Sequence, residues 1–183
     1  MKNLLLAILL ISISTTSFGQ EKLTTTSGHI KFFSTTPVED IEANNYKVTS
    51  YLTPSTGVLV FSVPMQSFEF PKSTMQKHYN SKKFLNTKKF PKGKFKGTIT
   101  NLSSINFSED GTYHATVSGE LTIHGVTNNV SEKMTLTIKK GTATGVTSFN
   151  ITLAEFGVVF TKGKPSKNIA KSVLITANLN YVK

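Results

Sequence analysis

The 183-residue chain has no cysteine, no tryptophan and no arginine. Without Cys there is no disulfide, no thiolate nucleophile, no Cys-based metal site and no N-terminal Cys for lipid attachment. All 21 of its basic residues are Lys, so the planar guanidinium fork that clamps phosphates and reads guanine is missing, and nucleic acid is not expected as a partner. Without Trp, and with a C-terminus reading Tyr181-Val182-Lys183, the aromatic girdles that an outer-membrane barrel needs are poorly represented. Acids are scarce as well. Ten Asp and Glu against 21 Lys leave a formal net charge of +11, and no two of the ten form a recognisable acid–base pair. G-x-S-x-G, H-E-x-x-H and Gly-rich phosphate loops are all missing, so no catalytic residue and no enzyme activity are expected. His29, His78, His114 and His124 lack metal-ligand spacing, so neither a metal nor a cofactor is expected.

A long hydrophobic run occurs at residues 4–13, preceded by Lys2 and followed by small polar residues ending Ser17-Phe18-Gly19. This order of charge, apolar run and small residues is that of a secretory signal peptide. The run is about half of the ~20 residues that a spanning helix requires. Residues 1–19 therefore read as a cleaved leader, residues 20–183 as a single domain, and the protein as exported, periplasmic or secreted.

What the rest of the chain has is alternation. In residues 113–123, Tyr113, Ala115, Val117, Gly119, Leu121 and Ile123 alternate with His114, Thr116, Ser118, Glu120 and Thr122, which is one face of a half-buried antiparallel strand. Ile30 and Phe32, Leu59 to Val63, Phe95 and Ile99, Met134 to Ile138, Phe149 to Leu153, and Val173 to Tyr181 follow the same period. Ile105 and Phe107 precede Glu109-Asp110-Gly111, and the Asp-Gly pair predicts a tight hairpin returning into Tyr113. Further turn signals stand at Pro54 to Gly57, Asn128-Asn129, Lys140-Gly141 and Gly163-Lys164-Pro165. About eight strands with one apolar face each predict an all-β antiparallel sheet closed on itself as a barrel, with a β-sandwich as the alternative closed form.

Residues 73–85 break the pattern. Met75, His78 or Tyr79, and Lys82 or Lys83 fall at helical spacing. A helix of about three turns is expected there, with Ser73 or Thr74 capping its N-terminus. The segment opens a basic stretch: nine Lys between residues 72 and 96 with no acid among them. Such a surface suits peripheral contact with an anionic membrane, at about 1 kcal/mol per Lys, and equally a solvated face that keeps the protein soluble.

Three spaced blocks carry a family resemblance. Residues 119–127, Gly-Glu-Leu-Thr-Ile-His-Gly-Val-Thr, resemble the G-(D/E)-L-T-(I/L)-H-G-V-T signature of the YceI-like family. The series Met75, His78, Tyr79, Phe84, Leu85, Thr87, Phe90, Pro91, Phe95 and Gly97 resembles that family's helix and following strand, and Ala154 to Val158 resembles its (S/A)-(D/E)-F-G-(I/V) block. The chain departs from it at Gln76-Lys77 and Thr152-Leu153, where many members have Arg-Asp and Asn-Arg. The resemblance implies a lipocalin-like barrel whose apolar interior holds an isoprenoid lipid, such as a quinone tail or polyprenyl phosphate, as ligand. The residues expected to line such an interior are Phe61, Phe68, Phe70, Met75, Tyr79, Phe84, Phe95, Val117, Leu121, Ile123, Leu136, Phe149, Ile151, Phe156 and Ile175. Alternation does not separate a hollow interior from a filled one. A filled barrel would make the same residues ordinary core and the protein a secreted stress-response or interaction module without lipid. The sequence leaves homodimerisation open.

Overall fold

The computed structural model describes residues 21–160 and 165–183. The leader read at residues 1–19 and the turn signal at Gly163-Lys164 lie outside them. Eight strands, β1 (Leu23–Thr35), β2 (Asp40–Thr53), β3 (Val58–Pro64), β4 (Lys92–Ile99), β5 (Gly111–Ile123), β6 (Val126–Lys139), β7 (Thr142–Thr152) and β8 (Ser172–Tyr181), follow one another around a closed barrel. Every neighbouring pair is antiparallel, and β8 returns to β1 through Ile30↔Ala177 and Phe32↔Ile175. Closure leaves no sheet edge and gives each strand an inner and an outer face.

Two hairpins are set by positive backbone dihedrals. His124 (φ 53°) and Gly125 (φ 80°) connect Ile123 to Val126, while Lys140 (φ 49°) and Gly141 (φ 76°) connect Lys139 to Thr142. Both are two-residue turns with φ > 0 at each central position, the geometry that matches strand twist. Asn128-Asn129 is not a turn: it lies within β6, because the reversal at His124-Gly125 comes first. The hairpin expected at Asp110-Gly111 does not form either. Gly111 is absent from the glycines with positive φ, and β5 pairs instead with β4 across the connection 100–110. Within that connection Ile105 is buried and Phe107 packs on the core, so the two apolar residues plug the barrel's end instead of forming a strand. The Asp110 carboxylate accepts a hydrogen bond from the Lys140 backbone N–H at 2.7 Å.

The inserted helix α1 spans Ser73–Asn80, shorter than the three turns expected. Ser81 takes an extended conformation, and both its N–H and its hydroxyl donate to the His78 carbonyl, at 3.0 and 2.7 Å. That double bond to one carbonyl ends the helix. Lys72, not Ser73 or Thr74, occupies the N-cap, and no side chain caps the helix.

The barrel's two ends differ. At the end formed by the start of β1, the end of β2 and the end of β8, Leu52, Leu59, Leu136, Leu179 and Tyr181 form a packed cluster with Ile105 against it. At the other end, two smaller clusters built on Phe68, Tyr79 and Val158, and on Ile151, Phe156 and Val173, cover the rim rather than fill the interior. Near mid-barrel Gly97 of β4 faces Gly119 of β5. A Cβ on Gly119 would collide with the Gly97 Cα and the Lys96 carbonyl oxygen. The absence of both side chains is what lets these two backbones approach.

Candidate ligand cavity

The loosely filled end encloses a cavity of about 520 Å³. Alternate residues of the strands form its wall, and α1 with the segments around Met65 to Phe70, Phe84-Leu85 and Leu153 to Val158 forms its cover. Leu59, Val117, Met134 and Ala177 line it and also belong to or border the packed end, so they mark its floor.

Fourteen of the fifteen residues expected on the inner wall border this cavity: Phe61, Phe68, Phe70, Met75, Tyr79, Phe84, Phe95, Val117, Leu121, Ile123, Phe149, Ile151, Phe156 and Ile175. Leu136 does not. It sits on the inner face of β6, but two residues below Met134, where it is fully buried in the packed end. Alternation assigned its face correctly and says nothing of its height along the barrel. Sequence reasoning passed over Ile30, Phe32, Met65 and Val158, all at the cavity. Phe32 is central to its cover, with ring centroids 5.5, 5.6 and 5.9 Å from Phe68, Phe70 and Tyr79. Its alternation with Lys31 was the signal that could have found it.

Polar groups gather at the rim. Glu39 holds Lys72 Nζ at 3.7 Å and accepts from Asn168 Nδ2 at 2.8 Å, while the Ser34 hydroxyl accepts from the Ala170 N–H at 2.9 Å. These bonds tie the β1–β2 connection to the chain just before α1 and to α2 (Pro165–Asn168). Lys72, Thr74, His78 and Lys94 also border the cavity. Deeper in the cover, Tyr79 lies among the rings of Phe32, Phe68, Phe70 and Phe84. Its hydroxyl is buried with no hydrogen-bond partner among the described residues, and burial pushes its pKa well above the usual phenol range. Glu132, also missed by sequence reasoning, borders the cavity, and its partial burial raises its carboxyl pKa.

The three sequence blocks meet at one corner of the cover. The Phe90 ring stands edge-on to His124 at 4.7 Å, and a Cβ on Gly125 would strike that ring at 2.5 Å. His124 Nδ1 lies 3.4 Å from the Phe156 carbonyl oxygen, and Asn128 Nδ2 donates to the Glu155 carbonyl at 2.8 Å. Gly157, at φ 70°, reverses the chain immediately afterwards. His124 thus acts through its ring on the backbone, as a turn residue that holds the 3₁₀ segment Leu153–Phe156 in place and keeps Phe156 in the wall. Among the described residues no group of three or more His, Asp or Glu is placed to hold a metal ion.

Solved structures share this architecture. BcnA of Burkholderia cenocepacia matches over 85% of this chain and 96% of its own, at 19% identity and TM-score 0.69. A polyisoprenoid-binding domain from Saccharophagus degradans, implicated in plant cell wall breakdown, matches over 87% and 96%, at 11% identity and TM-score 0.72. The YceI protein of Campylobacter jejuni matches over 100% and 99%, at 13% identity and TM-score 0.61. At those identities the likeness is one of fold, and no curated protein matches the sequence. The YceI-like domain, by contrast, matches residues 11–181 of the sequence itself. With the three motif blocks joined at one corner of an eight-stranded barrel, that match places the chain in the YceI-like domain family.

Proposed function

We propose that the protein is an exported carrier that holds the chain of an isoprenoid lipid, such as a quinone tail or a polyprenyl phosphate, in the cavity of its barrel. The observation that carries this reading is the division of the interior, packed at one end and open over about 520 Å³ at the other, with a wall mostly of aliphatic and aromatic carbon. At ~0.8 kcal/mol per buried CH₂, enclosing about ten carbons contributes roughly 8 kcal/mol, which corresponds to micromolar binding before ordering costs. No polar site is needed for that. Binding, not catalysis, is the role the wall supports. The description of the Saccharophagus domain as polyisoprenoid-binding agrees with it.

The Lys-bordered rim suits a phosphate headgroup or an anionic membrane surface, on which the mouth would exchange its lipid. Contact of this kind weakens with salt, because surface charges are screened beyond about 10 Å at 0.1 M ionic strength. Binding to anionic vesicles that does not change between low and high salt would remove membrane contact from the proposal.

The direct test is purification of the chain from Gln20 without detergent, organic extraction, and mass spectrometry of what leaves with the protein. A stoichiometric isoprenoid supports the carrier and names its ligand. An empty, folded protein that takes up neither added quinone nor polyprenol refutes it and favours a barrel serving as an interaction module. Leu121→Asp, which sets a charge on the wall clear of the packed end, should abolish loading; loading retained in the folded variant removes Leu121 from the ligand's path.

A further inference from the structure

An apolar ligand does not account for Glu132. On β6 the inward positions run Val130, Glu132, Met134, so the period that sets two apolar side chains on the cavity sets a carboxyl group between them. Register places Glu132 opposite Val117 of β5. Val117 and Met134 both belong to the packed end, so Glu132 stands at the level where the cavity gives way to solid core. The same level is where β6 and β7 part: their ladder ends at Met134↔Thr147.

No side chain among the described residues pairs with this partly buried carboxyl group. The ion pairs among the described residues engage Glu42, Glu39 and Glu21 and leave Glu132 out. The hydroxyl of Thr147, at the end of the β7 ladder, donates instead to the Lys133 carbonyl at 2.7 Å. Glu132 is only partly buried, so water reaches its carboxyl group while the cavity is empty; a ligand chain that fills the cavity beside it displaces that water and must replace the lost hydrogen bonds.

We infer that Glu132 is an anchoring point for a hydrogen-bond donor, a hydroxyl or an amine, carried at the end of an apolar chain that reaches the cavity floor. The same group discriminates against chains that end there in a phosphate or a carboxylate. An anionic headgroup therefore stays at the Lys-bordered rim, and only a neutral or cationic end is inserted first. This rests on the carrier reading and narrows its ligand class.

The test is displacement of the donor-free dye diphenylhexatriene from wild type, Glu132→Gln and Glu132→Leu by dodecanol, its methyl ether and dodecanoate. In wild type, dodecanol should outcompete the ether, which accepts but cannot donate, by about tenfold, and dodecanoate should be the weakest of the three. In Glu132→Leu the alcohol-to-ether ratio, each constant taken relative to that variant's own dye affinity, should fall to near one. Glu132→Gln, nearly isosteric and keeping an acceptor oxygen, should retain part of the preference. An alcohol-to-ether ratio that is the same in wild type and both variants overturns the inference and leaves Glu132 a solvated residue of the β6–β7 seam. Failure of the dye and of all three amphiphiles to bind wild type is a different outcome, which refutes the carrier itself.

Discussion

Replacing Tyr79 by Phe should make the lipid-free protein more stable, against the usual effect of altering a buried side chain. The ring is 5% exposed and lies at centroid distances of 5.0 to 6.0 Å from Phe32, Phe68, Phe70 and Phe84. Those contacts survive the substitution. The hydroxyl, which has no partner among the described residues, is all that is lost. A buried unsatisfied polar group costs ~1–3 kcal/mol, so Tyr79→Phe should gain about 1 kcal/mol, or roughly 2–4 °C in Tm for a domain of this size. Tyr181 is the internal control. It is 1% exposed, but its hydroxyl lies 2.8 Å from the Ser50 hydroxyl, and Tyr181→Phe should lose about 1 kcal/mol. Urea unfolding of delipidated protein followed by circular dichroism measures both, provided the slope stays the same so that the midpoint alone reports stability. A loss in Tyr79→Phe as large as that in Tyr181→Phe would show that the Tyr79 hydroxyl is satisfied, and would refute the reasoning.

Gly119→Ala should destabilise the barrel by ~1–3 kcal/mol, because its Cβ meets the backbone of β4 and not a movable side chain; a midpoint within error of wild type would mean that the two strands part without cost. Leu136→Ala should lose ~2–5 kcal/mol yet still load lipid, since Leu136 lies in the packed end. Leu121→Ala should do the reverse, losing less stability and more loading; thermal unfolding and ligand extraction on the same samples distinguish them. Burial raises the pKa of both Tyr79 and Tyr181 above the phenol value near 10. The unfolded chain therefore ionises first, and stability present below about pH 10 should fall as pH rises beyond it. Each Tyr→Phe variant should flatten that fall in alkaline urea titrations.

Much of this molecule was legible because strands declare themselves by period. β5 holds strict alternation over its length and β8 does so apart from the exposed Leu174, and the two Gly-containing turns at His124-Gly125 and Lys140-Gly141 set the register around β6. The errors have physical causes. Ile105 and Phe107 are only two residues apart, a spacing shared by a strand and by a loop that dips twice into a core, and burial decided for the loop. α1 ended early because Ser81 took the His78 carbonyl, a local competition that helical spacing does not report. Glu132 could have been found: β6 sets Met134, Leu136 and Ile138 on one face, and continuing that phase backwards places Glu132 inside with them.

Whether the interior is hollow is decided by segments other than the strands. Along β5 the inward residues change little in character from Ala115 and Val117 at the packed end to Leu121 and Ile123 at the cavity. What differs is what the connections insert. At the packed end the 100–110 connection sends Leu102, Ile105 and Phe107 onto the cluster, and Tyr181 crosses to Ser50. At the other end the connection between β3 and β4 is long enough to form α1, and its aromatic rings pack against one another at tilted angles above the rim. They cover the space and do not enter it. The packed end contributes the cohesion that lets the other end stay open, since a cavity of this size leaves its lining without full packing contacts. A polar substitution in the packed end should therefore be felt first as unfolding, and one at the cavity wall first as loss of ligand.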